Sequence, residues 1–185
     1  MPKDSSVELP AQKVELAFKG RVWDVVTEHF EFEGSTLARD FIRHPGAVAV
    51  IALNDAQEVL LIRQYRRPVG SYLWELPAGL LDVPGEDLET AALRELAEET
   101  NFTADNLEHL ITFHTSPGGN SESITVFVAT GLSHVETDFV RTGEEVNMQP
   151  TWVPLTEAVE SVMRSDMKNP SAVIGILALS RKLGI

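Results

Sequence analysis

The chain has 185 residues, 43% apolar and 23% charged, with 12 Gly, 10 Pro and no Cys, a composition that can bury one ordinary core and is neither disordered nor collagen-like. Against 15 basic side chains stand 28 acidic ones, a formal net charge of −13; this disfavours nucleic-acid phosphates and anionic membranes as partners, and an anionic substrate would need an intervening cation. Absence of cysteine excludes disulfides, thiolate-held zinc and a thiol nucleophile.

The opening MPKDSSVELP carries no apolar stretch behind its charges, so no secretory leader is expected and the predicted location is cytoplasmic. Residues 14–18, 21–26, 29–32 and 37–42 then alternate polar and apolar side chains and predict an antiparallel meander, broken at Lys19-Gly20 and Gly34-Ser35. Residues 1–45 are too short to hold a core and read as a β-rich extension covered by the rest of the chain or by a second copy. The main domain is expected at 46–185. It begins with two strands dense in β-branched residues, 47–53 and 58–65, parted by Asn54-Asp55. The first of these is the longest unbroken apolar run, and its 7 residues fall far short of the about 20 that a membrane helix needs. A Pro/Gly-rich stretch leads into a helix over 86–100, followed by strands at 110–114 and 123–130, an acidic loop at 143–147, a strand at 151–153 and helices at 156–165 and 170–183. Pro170 suits a first helical turn. The class is mixed α and β, an α/β fold.

Chemistry concentrates in residues 79–102, GLLDVPGEDLETAALRELAEETNF. On a helix Leu88, Ala92, Glu95 and Glu99 share one stripe, flanked by Ala91 and Leu96, and that stripe should face the core. Glu98 borders it. A bare Glu-x-x-Glu-Glu is usually a solvated surface face; the shared stripe brings that reading and a buried functional one to about even. Two carboxylates about 6 Å apart repel by roughly 3 kcal/mol at an effective dielectric near 20, so a positive group is required. Arg94 projects about 100° from Glu95 on the wheel and is not expected to serve it. A hard divalent cation, Mg²⁺ first and Mn²⁺ second, accepts such oxygens.

The segment resembles the Nudix box: Gly, five residues, Glu, seven residues, Arg-Glu, an aliphatic, any residue, Glu-Glu, any residue, Gly, and an aliphatic or aromatic. Gly79 opens it, Glu86 is its first acid, Arg94-Glu95-Leu96 and Glu98-Glu99 form its centre, and Phe102 closes it. Six residues rather than five separate Gly79 from Glu86, and Asn101 stands in place of the last Gly. Asn tolerates the left-handed conformation of a helix end better than other non-Gly residues. The resemblance implies a Nudix-fold α/β/α sandwich with a mixed sheet and an N-terminal antiparallel β extension. It further implies Glu95 and Glu99 as metal ligands, Glu98 as a further ligand or water contact, and the backbone of Ala78 as another oxygen donor. Glu86 and Arg94 read as a brace between loop and helix.

Residues outside the box resemble the ADP-ribose pyrophosphatase subgroup: Arg39, His44-Pro45-Gly46-Ala47-Val48, Gln64-Tyr65-Arg66, Trp74-Glu75-Leu76-Pro77-Ala78-Gly79 and Ser116-Pro117-Gly118-Gly119-Asn120-Ser121-Glu122. The resemblance implies Mg²⁺-dependent hydrolysis of ADP-ribose to AMP and ribose 5-phosphate. A nucleotide-sugar pyrophosphatase acting on a compound such as GDP-mannose, and a non-catalytic nucleotide-sensing module, stand as alternatives. It implies phosphate contacts at Arg39 and Arg66, a ribose contact at Glu75, and a pocket loop bringing Pro117, Gly118, Ser121 and Glu122 to the substrate. A surface salt bridge explains either arginine equally well, and a hairpin turn explains the loop. The base that takes a proton from water is expected in the acidic loop, at Glu144 or Glu145 with Glu144 favoured. Related enzymes form homodimers through such N-terminal β segments; Trp23, Phe30 and Phe32 are weighed as base-stacking residues, with sheet packing the better account of at least two. None of the five histidines has metal-ligand spacing.

Overall fold

The structure, a computed structural model, describes residues 1–185 except Glu144, Glu145 and Asn147. It falls into two compact units, Met1–Pro45 with His114–Glu122, and Gly46–Phe113 with Ser123–Ile185. The first unit therefore recruits a later loop that the sequence assigned to the main domain.

In the first unit, strands β1 (Lys13–Phe18), β2 (Asp24–Phe32) and β3 (Ser35–Arg43) form an antiparallel sheet in that order. The turn between β2 and β3 is Glu33-Gly34, one residue earlier than expected, and both have positive φ, 49° and 80°. That is the two-residue turn whose twist matches a hairpin. β2 runs unbroken where two separate strands were expected. Its polar middle is tied across to β3, Thr27 Oγ1 donating to Asp40 Oδ1 at 2.6 Å and Arg43 pairing with Glu28 at 2.8 Å. The 114–122 segment is held by Ile42, whose N–H donates to the Gly119 carbonyl and whose carbonyl accepts from Ser121 N–H, each at 3.0 Å.

The second unit carries a three-stranded sheet in the order β10-β5-β6 and a four-stranded one in the order β7-β4-β9-β8. Their strands are β4 (Ala47–Ala52), β5 (Glu58–Arg66), β6 (Ser71–Glu75), β7 (Ala78–Leu80), β8 (Phe102–His114), β9 (Ser123–His134) and β10 (Thr151–Pro154). β4 pairs parallel with β9 and antiparallel with β7, so the sheet is mixed. The helices described are α1 (Leu88–Thr100), α2 (Leu155–Met163) and α3 (Pro170–Leu183); none is long and apolar enough to cross a membrane.

Period-two alternation explains why β4 is apolar throughout. Ala47, Ala49 and Ile51 join Leu155, Ala158, Ala172, Ile176 and Leu179 of α2 and α3 on one face. Val48, Val50 and Ala52 join Ala91, Ala92 and Leu96 of α1 on the other. A strand with helices on both faces has no polar side to show, and this unit is the α/β/α sandwich. β8 starts directly after α1, eight residues earlier than expected, because polar side chains along it face solvent. β7, only three residues long, carried no run long enough to read.

Ile176 is fully buried and its neighbour Leu177 is 36% exposed. Ile176→Ala is expected to cost about 2–5 kcal/mol through the cavity it leaves, whereas Leu177→Ala should stay within about 0.5–1 kcal/mol; urea unfolding of both variants measures the difference.

Candidate functional site

The site is built on α1 and on the loop before it. Asp87 caps the helix, accepting from Thr90 N–H at 2.9 Å and from Thr90 Oγ1 at 3.0 Å, which holds its carboxyl below the usual carboxylate range. The helix thus begins at Leu88, and Glu86 lies outside it. Leu88, expected on the core stripe, is 40% exposed at this first turn. Ala92 and Glu99 follow the expected pattern and are buried.

Glu99 is turned toward β7, where Ala78 N–H donates to its Oε2 at 2.8 Å. The observed contact of Ala78 with the acidic set is therefore through its amide. Glu95 lies over Gly79: a Cβ there would fall 2.0 Å from the Glu95 Cδ. The first residue of the box is glycine because a carboxylate occupies the space that any side chain would need.

Arg94 is where the helical wheel misleads. Its Nε and Nη2 donate to the two oxygens of Glu86 at 2.9 and 2.8 Å, the bidentate brace the sequence suggested. Yet its Nη1 also reaches Glu95 at 2.6 Å and Glu98 at 3.4 Å. The wheel gives the Cβ direction, and the long side chain folds back beyond it. Hydrogen bonding to Arg94 lowers the Glu86 carboxyl. For Glu95 burial dominates and raises its pKa; Arg94 opposes this, while Glu98 and Asp82 add to it. One guanidinium serves three carboxylates and does not neutralise them.

That surplus of negative charge, carried by hard oxygens, fits a divalent cation in chemistry. Glu95, Glu98 and Glu99 are the residues that could hold it. Among the described residues no group of three or more His, Asp or Glu side chains is already gathered as a metal cage; here Arg94 and the Ala78 amide take up oxygens that a metal would otherwise attract.

The other expected residues divide into separate clusters. In the second unit Arg66 and Glu75 form a bidentate pair, Nε to Oε1 at 2.9 Å and Nη2 to Oε2 at 2.7 Å. The Glu75 side chain is 3% exposed and that of Arg66 45%, so the carboxylate aims an arginine that still meets solvent. In the first unit Arg39 is exposed on β3, its Nη1 donating to the Ala38 carbonyl at 2.7 Å. Pro117 and Gly118 occupy an exposed turn closed by Gly119 N–H to the Ser116 carbonyl at 3.0 Å. Ser121 Oγ accepts from His44 N–H at 2.9 Å. Glu122 is tied on both oxygens, to Thr115 Oγ1 at 2.6 Å and to His44 Nε2 at 3.2 Å. The His44 ring is stacked on Trp23, with ring centroids 4.2 Å apart. The sequence placed His44 in the subgroup resemblance but gave it no role, because its partners stand 21 and 78 positions away and give no local signal. Glu144 and Glu145 lie outside the described residues.

Comparison with known proteins bears on this arrangement. The NUDIX domain model matches residues 43–173. The ADP-ribose pyrophosphatase of Mycobacterium tuberculosis is 40% identical over 146 residues, 79% of this chain and 70% of that protein. That of Bacillus subtilis is 42% identical over 66% of each chain. A methanol dehydrogenase activator of Bacillus methanolicus is 38% identical over 89% of this chain and 88% of its own. A solved structure described as an ADP compounds hydrolase superposes with a TM-score of 0.79 at 24% identity, covering 98% of this chain and 97% of that one, and so shares the fold. With its box seated on α1 as described and the domain model spanning most of its length, this chain belongs to the NUDIX family.

Proposed function

We propose that the protein is a Mg²⁺-dependent ADP-ribose pyrophosphatase, working in the cytoplasm as a homodimer. The observation that carries the reading is the intact acidic set of α1 within a chain that is 40% identical to an ADP-ribose pyrophosphatase over most of its length. Glu95, Glu98 and Glu99, with a backbone oxygen of Ala78, would hold Mg²⁺, which when bound lowers the pKa of a water and offsets the charge of the diphosphate. Arg66, aimed by the buried Glu75, contacts a phosphate or terminal ribose phosphate; Arg39, in the first unit, is read as a further phosphate-binding residue. The loop bearing Pro117 and Gly118, secured within the first unit by Ser121 and Glu122, is read as a substrate-binding loop. Water attacks one phosphorus of the diphosphate and the bridging P–O bond breaks. Glu144, or Glu145, accepts the water's proton, and the products are AMP and ribose 5-phosphate.

The dimer reading is supported by β1. It is an edge strand with exposed apolar side chains, Val14 and Leu16 on one face at 48% and 57% and Phe18, beyond a bulge that shifts the register, at 65%, which a second copy would cover.

Product analysis with purified protein, Mg²⁺ and ADP-ribose, GDP-mannose or NADH in parallel tests the substrate. AMP and ribose 5-phosphate should appear fastest from ADP-ribose, and Glu99→Gln should lower that turnover more than about 100-fold. Faster cleavage of GDP-mannose, or nucleotide binding with no cleavage, would replace this reading. Sedimentation should show a dimer that Leu16→Asp converts to monomer; a wild-type monomer refutes the dimer.

A further inference from the structure

The acidic segment proposed to supply the base follows Arg141, and this arginine reaches well beyond its own neighbourhood. Its Nε donates to the Glu98 carbonyl at 3.2 Å, its Nη1 to the Met148 carbonyl at 3.3 Å and its Nη2 to Asn101 Oδ1 at 3.2 Å. Glu98 belongs to the C-terminal turn of α1 and Asn101 caps it, and Met148, 4% exposed, stands on the far side of the acidic segment. One guanidinium therefore joins both stems of that segment to the end of the helix that carries the box. α1 has no basic residue in its last turn, so Arg141 also supplies the cation that a helix C-terminus favours.

Asn101 gives this junction its second half. Its φ of 61° and ψ of 29° place it in the left-handed region, its N–H donates to the Ala97 carbonyl at 2.9 Å, and its own carbonyl accepts from Val135 N–H at 2.9 Å. Glycine, the usual last residue of the box, would meet these backbone demands equally well. It could not offer Oδ1 to Arg141.

We infer that Arg141 and Asn101 are positioning residues, a guanidinium–amide tether that fixes the stems of the acidic segment against α1, and that the departure from glycine at position 101 is functional. The inference rests on the proposed assignment of the base to Glu144 or Glu145.

The test compares Asn101→Gly, Arg141→Ala, Arg141→Lys and the Asn101→Gly/Arg141→Ala double variant of the full chain, with ADP-ribose and Mg²⁺. Asn101→Gly and Arg141→Ala should each lower kcat roughly ten- to hundred-fold with KM little changed. The double variant should be no worse than Arg141→Ala, because Arg141→Ala already removes the one contact that Asn101→Gly removes, and Arg141→Lys should recover part of the loss. Wild-type kcat in both single variants, or losses that multiply, would overturn the tether. Amide exchange at Thr142 and Met148, read without substrate, should rise in Asn101→Gly and Arg141→Ala. Should Glu144→Gln and Glu145→Gln both retain wild-type turnover, the assignment of the base fails on its own. Exchange then decides: a rise sustains the tether, and unchanged exchange in both variants refutes it. Asn101→Gly keeps the test interpretable if Arg141→Ala misfolds, since glycine accommodates the same φ.

Discussion

The arrangement of the main unit depends on a surplus of carboxylates at one end of α1. Glu95 and Glu99 sit on a helix whose neighbouring side chains Ala92 and Leu96 are sealed against β4, and Glu98 stands beside them. Burial of charge on that scale is unfavourable unless the charges are paired. The Arg94 guanidinium, the Ala78 amide and the space left over Gly79 together accommodate these carboxylates. Each is fixed by the fold, since β7 pairs with β4 and brings residues 78 and 79 under the helix. The same features explain why the box has the composition it has. Gly79 leaves room for a carboxylate, Arg94 and Glu86 clamp loop to helix, and the aliphatic positions seat the helix on the sheet.

Arg94 also shows why this neutralisation is incomplete. Its hydrogen bonds to Glu86 are bidentate and short, and only one nitrogen is left for Glu95 and Glu98. Burial therefore still governs Glu95 and raises its pKa despite the guanidinium beside it. Under the proposed reading, a divalent cation would offset the charge that a single fixed arginine leaves.

Much of this was legible in the sequence, and what was not has physical reasons. β4 and residues 59–62 of β5 announce themselves because strand segments covered on both faces are apolar without interruption, and α3 matches its predicted bounds because Pro170 and the left-handed Gly184 delimit it. The box was readable because its glycine, arginine and acidic residues stand at fixed spacing along one loop and helix. β7 and β6 escaped notice: five residues or fewer leave too short a pattern, and pairing partners decide their fate. β2 was split at Thr27 and Glu28 because cross-strand partners that satisfy polar side chains are invisible along the chain. Pairings between distant residues were beyond reach for the same reason. Arg66 with Glu75, His44 with Glu122 and Arg141 with Asn101 depend on topology that places one beside the other. In each case the sequence offered a charged residue, and the fold supplied its role.

The most direct test of the central claim is the rise in Tm that Mg²⁺ produces in the substrate-free protein, compared among the wild type, Glu95→Gln and Gly79→Ala. A ligand that binds only the folded state stabilises it in proportion to its affinity. Mg²⁺ should raise the Tm of the wild type and have little effect on either variant, because one removes a carboxylate and the other displaces it. Equal rises in all three would place the cation elsewhere and contradict the metal-holding role of the α1 carboxylates.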